Sequence, residues 1–445
     1  MSGPDRVLVF ARFPIAGQCK TRLIPWLGPV GAAAITERLT LQTLGVAAPQ
    51  QGASWTTTIL VDGATPAEFS SRFNCPNVRI RPQPTGHLGQ RLTQAVDQAF
   101  ADGSGRLVII GTDCPSLRTA HLQAAFAALE QCDVVFGPAL DGGYYLIGLK
   151  HPQPCLFEQI DWSTDRVYAQ SLAQAQGAGL SVRELPALGD LDLPCDLPRL
   201  QRLLPVRSVE PATRLSTHSA PLSVIVPTRN EAAVLEATLQ RVRGGPDVDL
   251  IVVDGGSQDA TVEIARQFGA RVLVQSTSRA TRLNAGAAAT VGSQLLFLHA
   301  DTLLPANYEQ VVRDGLSDPE IALGAFRLQI GSADWKLRTI ARGANWRTQA
   351  WGLPYGDQAL FVWAETFWKS GGFRPLPLMD DFDWVWRLRQ YGRCQLMSAA
   401  VETSDRRWRR LGPVRTTVLN QLIVSAWWLG VPPDRLADWY RGRRG

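Results

Sequence analysis

The chain has 445 residues, 45% of them hydrophobic and 19% charged, which suffices for two or three domains with real cores and excludes a disordered chain. The net charge is +5, and from Glu402 onward nine Arg against four acidic residues account for all of it; the basic character is local, pointing to an anionic partner for that end: phosphate, a membrane surface or nucleic acid. The seven cysteines (19, 75, 114, 132, 155, 195 and 394) are odd in number and form no CxxC pair, which argues against a disulfide framework or a structural zinc site and fits a reducing, cytoplasmic compartment.

A strand is predicted at once, over Val7–Phe10, with no signal peptide expected ahead of it. It runs into a loop carrying Gly17, Lys20 and Arg22, then an Ala-rich helix over Gly31–Leu44. A strand, a Gly/Lys/Arg loop and a helix describe a phosphate cradle, although the GxxxxGK[ST] pattern is absent. The buried strand Leu107–Ile110 leads to Asp113, and Asp133–Phe136 leads through the turn Asp141-Gly142-Gly143 to another strand starting at Tyr144. Trp162-Ser163-Thr164 is expected at a helix start. Asp190 and Asp192 stand two residues apart and so share a face. Acidic residues after several strands of one α/β domain read as a cation site.

The motifs FARFPIAGQCKTRL, GHLGQRL, GTDCPSL, GPALDGGYYLIGL, WST and GDLDLPCDL follow in that order. Together they resemble a group of GT-A-like proteins labelled arsenosugar-biosynthesis glycosyltransferases, itself similar to the guanylyltransferases of molybdenum-cofactor and deazaflavin-cofactor synthesis. The resemblance covers Arg6–Leu200, with Arg12 standing where that group usually has Lys. It implies a nucleotidyltransferase-like domain over residues 1–200. Lys20, Arg22 and Asp113 would contact nucleotide phosphates and metal, and Asp192 or Asp190 would complete the metal site.

Residues 201–220 are rich in Pro, Ser, Thr and Arg without periodicity and are expected to be a linker. The second domain, 221–445, opens with a strand over Leu222–Val226 that ends at Pro227, Asn230 and Glu231, followed by a helix over Ala232–Val242. Leu250–Val253 ends in Asp254, with Asp259 before a helix over Thr261–Phe268. After a strand at Arg271–Val274 and an Ala-rich helix containing Asn284 comes Leu295–Leu298, running into His299, Ala300 and Asp301. An apolar run of that kind is a strand buried on both faces, and open α/β sheets bind ligands outside the carboxyl ends of such strands. Asp301 is therefore placed to hold a divalent cation against a diphosphate, with His299 two residues earlier on the same side. Strand–helix alternation predicts a mainly parallel, right-handed sheet.

PTRNE, VVDGGSQDAT, RLNAGAA, LHADT and the stretch around Asp380-Asp381 resemble glycosyltransferase family 2, the inverting GT-A enzymes that use nucleotide sugars; carotenoid-acid glycosyltransferases are among the similar groups. The resemblance covers Leu222 to about Arg410. It implies Mg2+ or Mn2+ at Asp301, where the family's Asp-x-Asp is His299-Ala300-Asp301, and a general base at Asp381, with Asp380 replacing the family's Glu. A helix is expected over Asp383–Tyr391, with Asp380 the alternative as its cap. Glu231 and Asp254, with Asn230, would read uracil or ribose, and Pro227, Asp259 and Asn284 belong to the same donor motifs. Arg406, Arg407 and Arg409 lie after the base, where a mobile segment would close over the diphosphate.

The expectation is thus α/β: two tandem GT-A-like domains, the second a metal-dependent inverting glycosyltransferase that takes a nucleotide-sugar donor and a small-molecule or lipid acceptor. The first would either assist it by binding nucleotide or act independently as a nucleotidyltransferase. A helix over Thr416–Val431 with Trp427 and Trp428, flanked by Arg, is compatible with peripheral contact to an anionic membrane. A nucleic-acid-binding protein is the alternative of another class; no recognition module is present.

Overall fold

The computed structural model describes residues 3–48, 55–75, 78–203, 222–242, 248–290 and 292–441. The chain divides into two compact units, Met1–Thr21 with Ala33–Leu203 and Arg22–Ala32 with Leu204–Gly445. Most of the stretch expected to be a linker lies outside the described residues, and Pro194–Leu203 before it is a 3-10 helix.

The first unit runs β1 (Asp5–Arg12), the part of α1 (Ile24–Ala47) from Ala33 onward, β2 (Trp55–Asp62), α2 (Pro66–Phe73), β3 (Arg79–Pro82), α3 (Leu88–Ala101), β4 (Leu107–Gly111), α4 (Thr119–Ala128), β5 (Val134–Pro138), β6 (Tyr144–Leu149), α5 (Val167–Gly177) and β7 (Val182–Glu184). The strands form one sheet in the order β3-β2-β1-β4-β6-β5-β7, parallel except where β6 meets β4 and β5. Val7, Val9, Ile59, Val108 and Ile110 turn to one side and Leu8, Leu60, Leu107 and Ile109 to the other. Each side has a core because the central strands are apolar at every position. The helix expected over Gly31–Leu44 is the C-terminal part of the longer α1, which bends at Gly28 (φ 68) ahead of Pro29. Trp162-Ser163-Thr164 is not a helix start: Ser163 is left-handed (φ 68), and α5 begins only at Val167.

The second unit contains β8 (Leu222–Thr228), α6 (Ala232–Val242), β9 (Val248–Asp254), α7 (Thr261–Gln267), β10 (Arg271–Val274), α8 (Arg279–Ala289), β11 (Gln294–Phe297), β12 (Thr302–Leu303), α9 (Tyr308–Gly315), β13 (Ile321–Ile330), α10 (Trp335–Trp351), β14 (Leu360–Trp363), α11 (Ala364–Lys369), α12 (Asp380–Leu388), β15 (Arg393–Thr403), α13 (Arg406–Leu411), α14 (Pro413–Trp428) and α15 (Pro433–Arg441). Its sheet order is β10-β9-β8-β11-β14-β13-β15-β12, with β10, β9, β8 and β11 mutually parallel. Leu295, Leu296 and Leu298 are fully buried, as the apolar run requires. Removing one such side chain to Ala costs about 2–5 kcal/mol. Both units are therefore α/β with largely parallel sheets, as the motif order implied.

One boundary moves in a way that matters. The helix expected from Asp383 to Tyr391 begins three residues earlier, capped by Met379 in the left-handed region (φ 66). Asp380 is therefore not the cap; Asp380 and Asp381 both sit in the first turn, where the free N–H groups of the helix favour negative charge. Among the described residues no helix is long and apolar enough to cross a membrane.

Candidate functional site

A buried polar cluster of the second unit is built on the first turn of α8. Ser278 caps that helix by accepting from the Thr281 N–H, which fixes Arg279 and Arg282, three residues apart, on one face. The Arg279 guanidinium donates to both oxygens of Asp380, at 3.2 and 2.9 Å, and lies 3.3 Å from Asp381. Its remaining Nη1 is 2.8 Å from His299 Nε2. Arg has no acceptor, so His299 receives this bond with its Nε2 lone pair. Asp381 also accepts from the Gly356 N–H at 2.9 Å and the Phe382 N–H at 2.8 Å.

These contacts separate the two carboxyls. Burial alone would push Asp381 up, but Arg279 and the two backbone N–H groups outweigh it and hold the group below the usual carboxylate range. At Asp380 burial dominates, Arg279 offsets it in part, and the adjacent Asp381 repels the charge, so that carboxyl is raised. Burial also opposes the Arg279 charge, and the two aspartates reverse that effect and bind the cation more firmly. Asp383, the third carboxylate of the turn, is occupied elsewhere: it accepts from Arg387 at 2.9 Å and Arg374 at 3.3 Å.

A cavity of about 920 Å3 opens over this cluster, a size suited to a nucleotide-sized ligand. Its lining includes Arg229, Arg279 and Arg282 and also Leu376, Leu378, Ile423 and Val424. Cationic and apolar surfaces thus meet beside Asp381.

Asp301 also lines the cavity. Together with Glu231 it holds one guanidinium, that of Arg406, at 3.2 and 2.8 Å respectively. His299 does not join them in the manner expected of a first metal ligand, because its Nε2 faces Arg279. Among the described residues no three His, Cys, Asp or Glu side chains gather to hold a metal. Asp301 and Glu231, two oxygen donors already converging on a cation, are the donor set that fits a hard divalent ion.

The remaining donor candidates are mostly loop organisers. Fully buried Asp254 accepts from the N–H groups of Gly256 and Ser257 at 2.8 and 2.7 Å and from Thr228 at 3.1 Å. Asn230, left-handed at φ 54, ties its side chain to the Gln258 N–H at 2.9 Å. Asp259 receives Ala232 N–H and Thr261, and the Thr261 hydroxyl is the main cause of its lowered pKa. Asn284 needs a larger correction: it is fully buried, and both ends of its amide bond the Phe373 backbone, at 2.7 and 2.9 Å. It fixes the chain ahead of α12 instead of facing a nucleotide. Pro227 lies inside β8, level with Val253. Arg409 is exposed and pairs with Asp405 at 2.7 Å, one turn back on α13; the Arg407 side chain lies outside the described residues.

The first unit has its own cluster. Lys20, left-handed at φ 45, turns a buried ammonium between Asp113 and Asp192, the latter at 2.7 Å. Burial opposes that charge, and the two carboxylates more than compensate, raising the Lys20 pKa. Asp190 is pushed up to about 6 by burial and then by the nearby charges of Asp141, Asp192 and Asp196. Asp141 caps its own turn through the Gly143 N–H at 2.9 Å. Lys20 is thus committed to carboxylates, not exposed as an open phosphate ligand. Gly17 turns the loop at φ 84, and Arg22 is exposed.

Sequence reasoning passed over Arg229, Arg279, Arg282 and Gly356. The i, i+3 pairing of two arginines behind a Ser cap was the available signal for α8. Gly356 carries none, because only the fold brings it to Asp381.

Comparison with known proteins gives two separate segments. Residues 46–164 match the family described as "Uncharacterized protein conserved in bacteria (DUF2064)", and residues 223–365 match "Glycosyl transferase family 2". The PGL/p-HBAD biosynthesis glycosyltransferases of Mycobacterium bovis and Mycobacterium tuberculosis are 40% identical over 96 residues, 19% of this chain and 38% of theirs. The chain therefore spans well under half the length of those relatives. A putative nucleotide-diphospho-sugar transferase from Desulfovibrio desulfuricans is 30% identical, covering 47% of this chain and 91% of that one at a TM-score of 0.43. A mannosyltransferase from Pyrobaculum calidifontis, solved with GDP-Man and Mn2+, is 19% identical over 47% of this chain and 65% of that one, at a TM-score of 0.37.

Proposed function

We propose that the second unit, whose residues 223–365 are a glycosyl transferase family 2 segment, moves a sugar from a nucleoside diphosphate to an acceptor hydroxyl with inversion. The observation that carries this reading is one cavity lined by Arg229, Arg279 and Arg282 together with Asp381, whose carboxylate is held by the Gly356 N–H and by Arg279. The acceptor oxygen forms its bond to the anomeric carbon as the bond to the diphosphate oxygen breaks. The hydroxyl proton goes to Asp381, and the electron pair of the broken bond leaves with the diphosphate. A single displacement inverts the centre. Arg229 and Arg282 meet the charge that develops on the leaving group, while Arg279 holds Asp380 and Asp381 in place.

Asp301, with Glu231 nearby, is the residue to hold Mg2+ or Mn2+, which when bound neutralises diphosphate charge. Arg406 occupies those two carboxylates in the described arrangement. Its guanidinium is thereby kept within the same loop cluster, ready to pair with phosphate oxygens.

We read the first unit as a nucleotide-binding domain, on the α/β sheet whose loops bring the Asp113 and Asp192 carboxylates together at Lys20. Whether it prepares the donor or acts on its own substrate is a question of activity, answered by assaying the chain with nucleoside triphosphates.

The transfer reading is tested by calorimetry of the full chain with UDP- and GDP-sugars and Mn2+, comparing the parent with variants of the second unit alone. Binding weakened by about tenfold or more in Arg282→Ala supports it, a loss on the scale of one charge-assisted hydrogen bond. Binding untouched by both Arg229→Ala and Arg282→Ala places the donor elsewhere and overturns it.

A further inference from the structure

Two neighbouring helices of the second unit present the same unusual surface. α10 has the sequence WKLRTIARGANWRTQAW, with four basic residues and no acidic one. Trp335, Arg338, Arg342 and Trp346 are exposed at i, i+3, i+7 and i+11, which makes one stripe of the helix. Trp335 and Trp346 are 65% and 61% exposed, and Trp346 sits edge-on to Trp351, itself exposed, at 5.1 Å.

The stripe is fixed by what lies beneath it. Leu337 and Ala341 pack on Leu328 and Ile330 of β13. Asn345 accepts from the Leu328 N–H at 2.7 Å and donates to the Leu328 carbonyl at 3.0 Å. α10 therefore has one rotational setting on the sheet, and its tryptophans face outward by construction.

α14 lies against α10 and repeats the pattern. Arg415, Val418 and Leu422 are exposed along one stripe, continued by Leu429 just past the helix end at 84% exposure. Exposed Trp428 meets Trp386 at 4.5 Å, and Arg389 lies 4.6 Å over the Trp386 ring. The inner side of α14 supplies Ile423 and Val424 to the cavity wall, and Trp427 stacks edge-on to Phe382 at 5.2 Å, the residue after Asp381. One helix thus has an inner face on the cavity and an outer face of apolar and cationic residues.

We propose that the outer faces of α10 and α14 dock the protein on an anionic lipid bilayer. Tryptophan is the side chain that settles at the headgroup level, with its ring among the acyl chains and its N–H in the polar zone. Arginines interleaved with tryptophans, and no carboxylate on α10, complement a negative leaflet. A nucleic acid would use the arginines but gains nothing from Val418, Leu422 and Leu429, so the lipid surface fits the whole patch. This docking does not depend on the transfer reading; it places the α14 wall of the cavity next to the membrane whatever reaction the cavity serves.

The test is co-sedimentation of the full chain with vesicles of phosphatidylcholine alone or with an equal share of phosphatidylglycerol, together with tryptophan emission. The protein should pellet with the anionic vesicles and its emission should shift to the blue. Arg338→Glu/Arg342→Glu should weaken binding by at least about fivefold for each charge removed, and Trp335→Ser/Trp346→Ser should reduce the emission shift. All four positions are exposed, and circular dichroism establishes that the variants remain folded. No binding to either vesicle overturns the proposal. So does binding and an emission shift equal to the parent's in both variants, or a basic-residue-dependent binding to duplex DNA with none to vesicles.

Discussion

The Gly356 backbone donates to the Asp381 carboxylate at 2.9 Å, and a Cβ at Gly356 would stand 2.9 Å from both that carboxylate oxygen and His299 Nε2. Glycine is needed there because two functional side chains approach the bare backbone, not because of an unusual φ.

Gly356→Ala is expected to leave the fold intact and displace Asp381 and His299 together. A misplacement of about 1 Å at the reacting centre costs on the order of a hundredfold in rate. Steady-state kinetics should show the loss in kcat with donor affinity little changed; a wild-type kcat would mean that Asp381 does not take part in the slow step.

The pH profile follows from the direction of the Asp381 shift. A carboxyl held below its ordinary range stays deprotonated as pH falls, so the acid limb of kcat should lie below the usual carboxylate value. Removing Arg279, the largest of the causes that lower it, should move the limb upward. An acid limb near neutrality in the parent enzyme would assign the base to another group.

Asp190 offers a stability prediction in the first unit. Its pKa is raised from 3.8 to about 6, so the folded state prefers the protonated form. Stability from this group is therefore present at low pH and is lost as pH rises from about 4 through about 6. Asp190→Asn should raise the melting temperature at pH 7 and change it little at pH 4. The gain is on the order of 1 kcal/mol once the half-exposed setting is discounted for solvent screening. Equal melting temperatures at pH 7 would show that the acidic neighbours do not strain the site.

The legible part of this molecule was the position of its strand ends. Leu295–Leu298 announced a central strand by being apolar throughout, and Asp301 followed it into the cavity as strand-end geometry requires. What failed were assignments by motif membership. Asn284 sits in a donor motif yet spends its amide on Phe373, and His299 is taken by Arg279. Such partners come from α8 and the chain before α12, about twenty to ninety residues away, and no local pattern encodes them. The start of α12 was misjudged because Met379, not an Asp, supplies its cap through a left-handed backbone. That conformation is uncommon for a residue of its kind.

The central claim is that Asp381 takes the acceptor proton while the arginine-lined part of the cavity holds the donor. Asp381→Asn tests it most directly, read as nucleoside diphosphate release in the presence of acceptor beside calorimetric affinity for the nucleotide sugar. The predicted result is a fall of about a hundred- to ten-thousand-fold in release with donor affinity preserved and Asp380→Asn milder. Full activity in Asp381→Asn, or lost donor affinity as its main defect, would contradict the account.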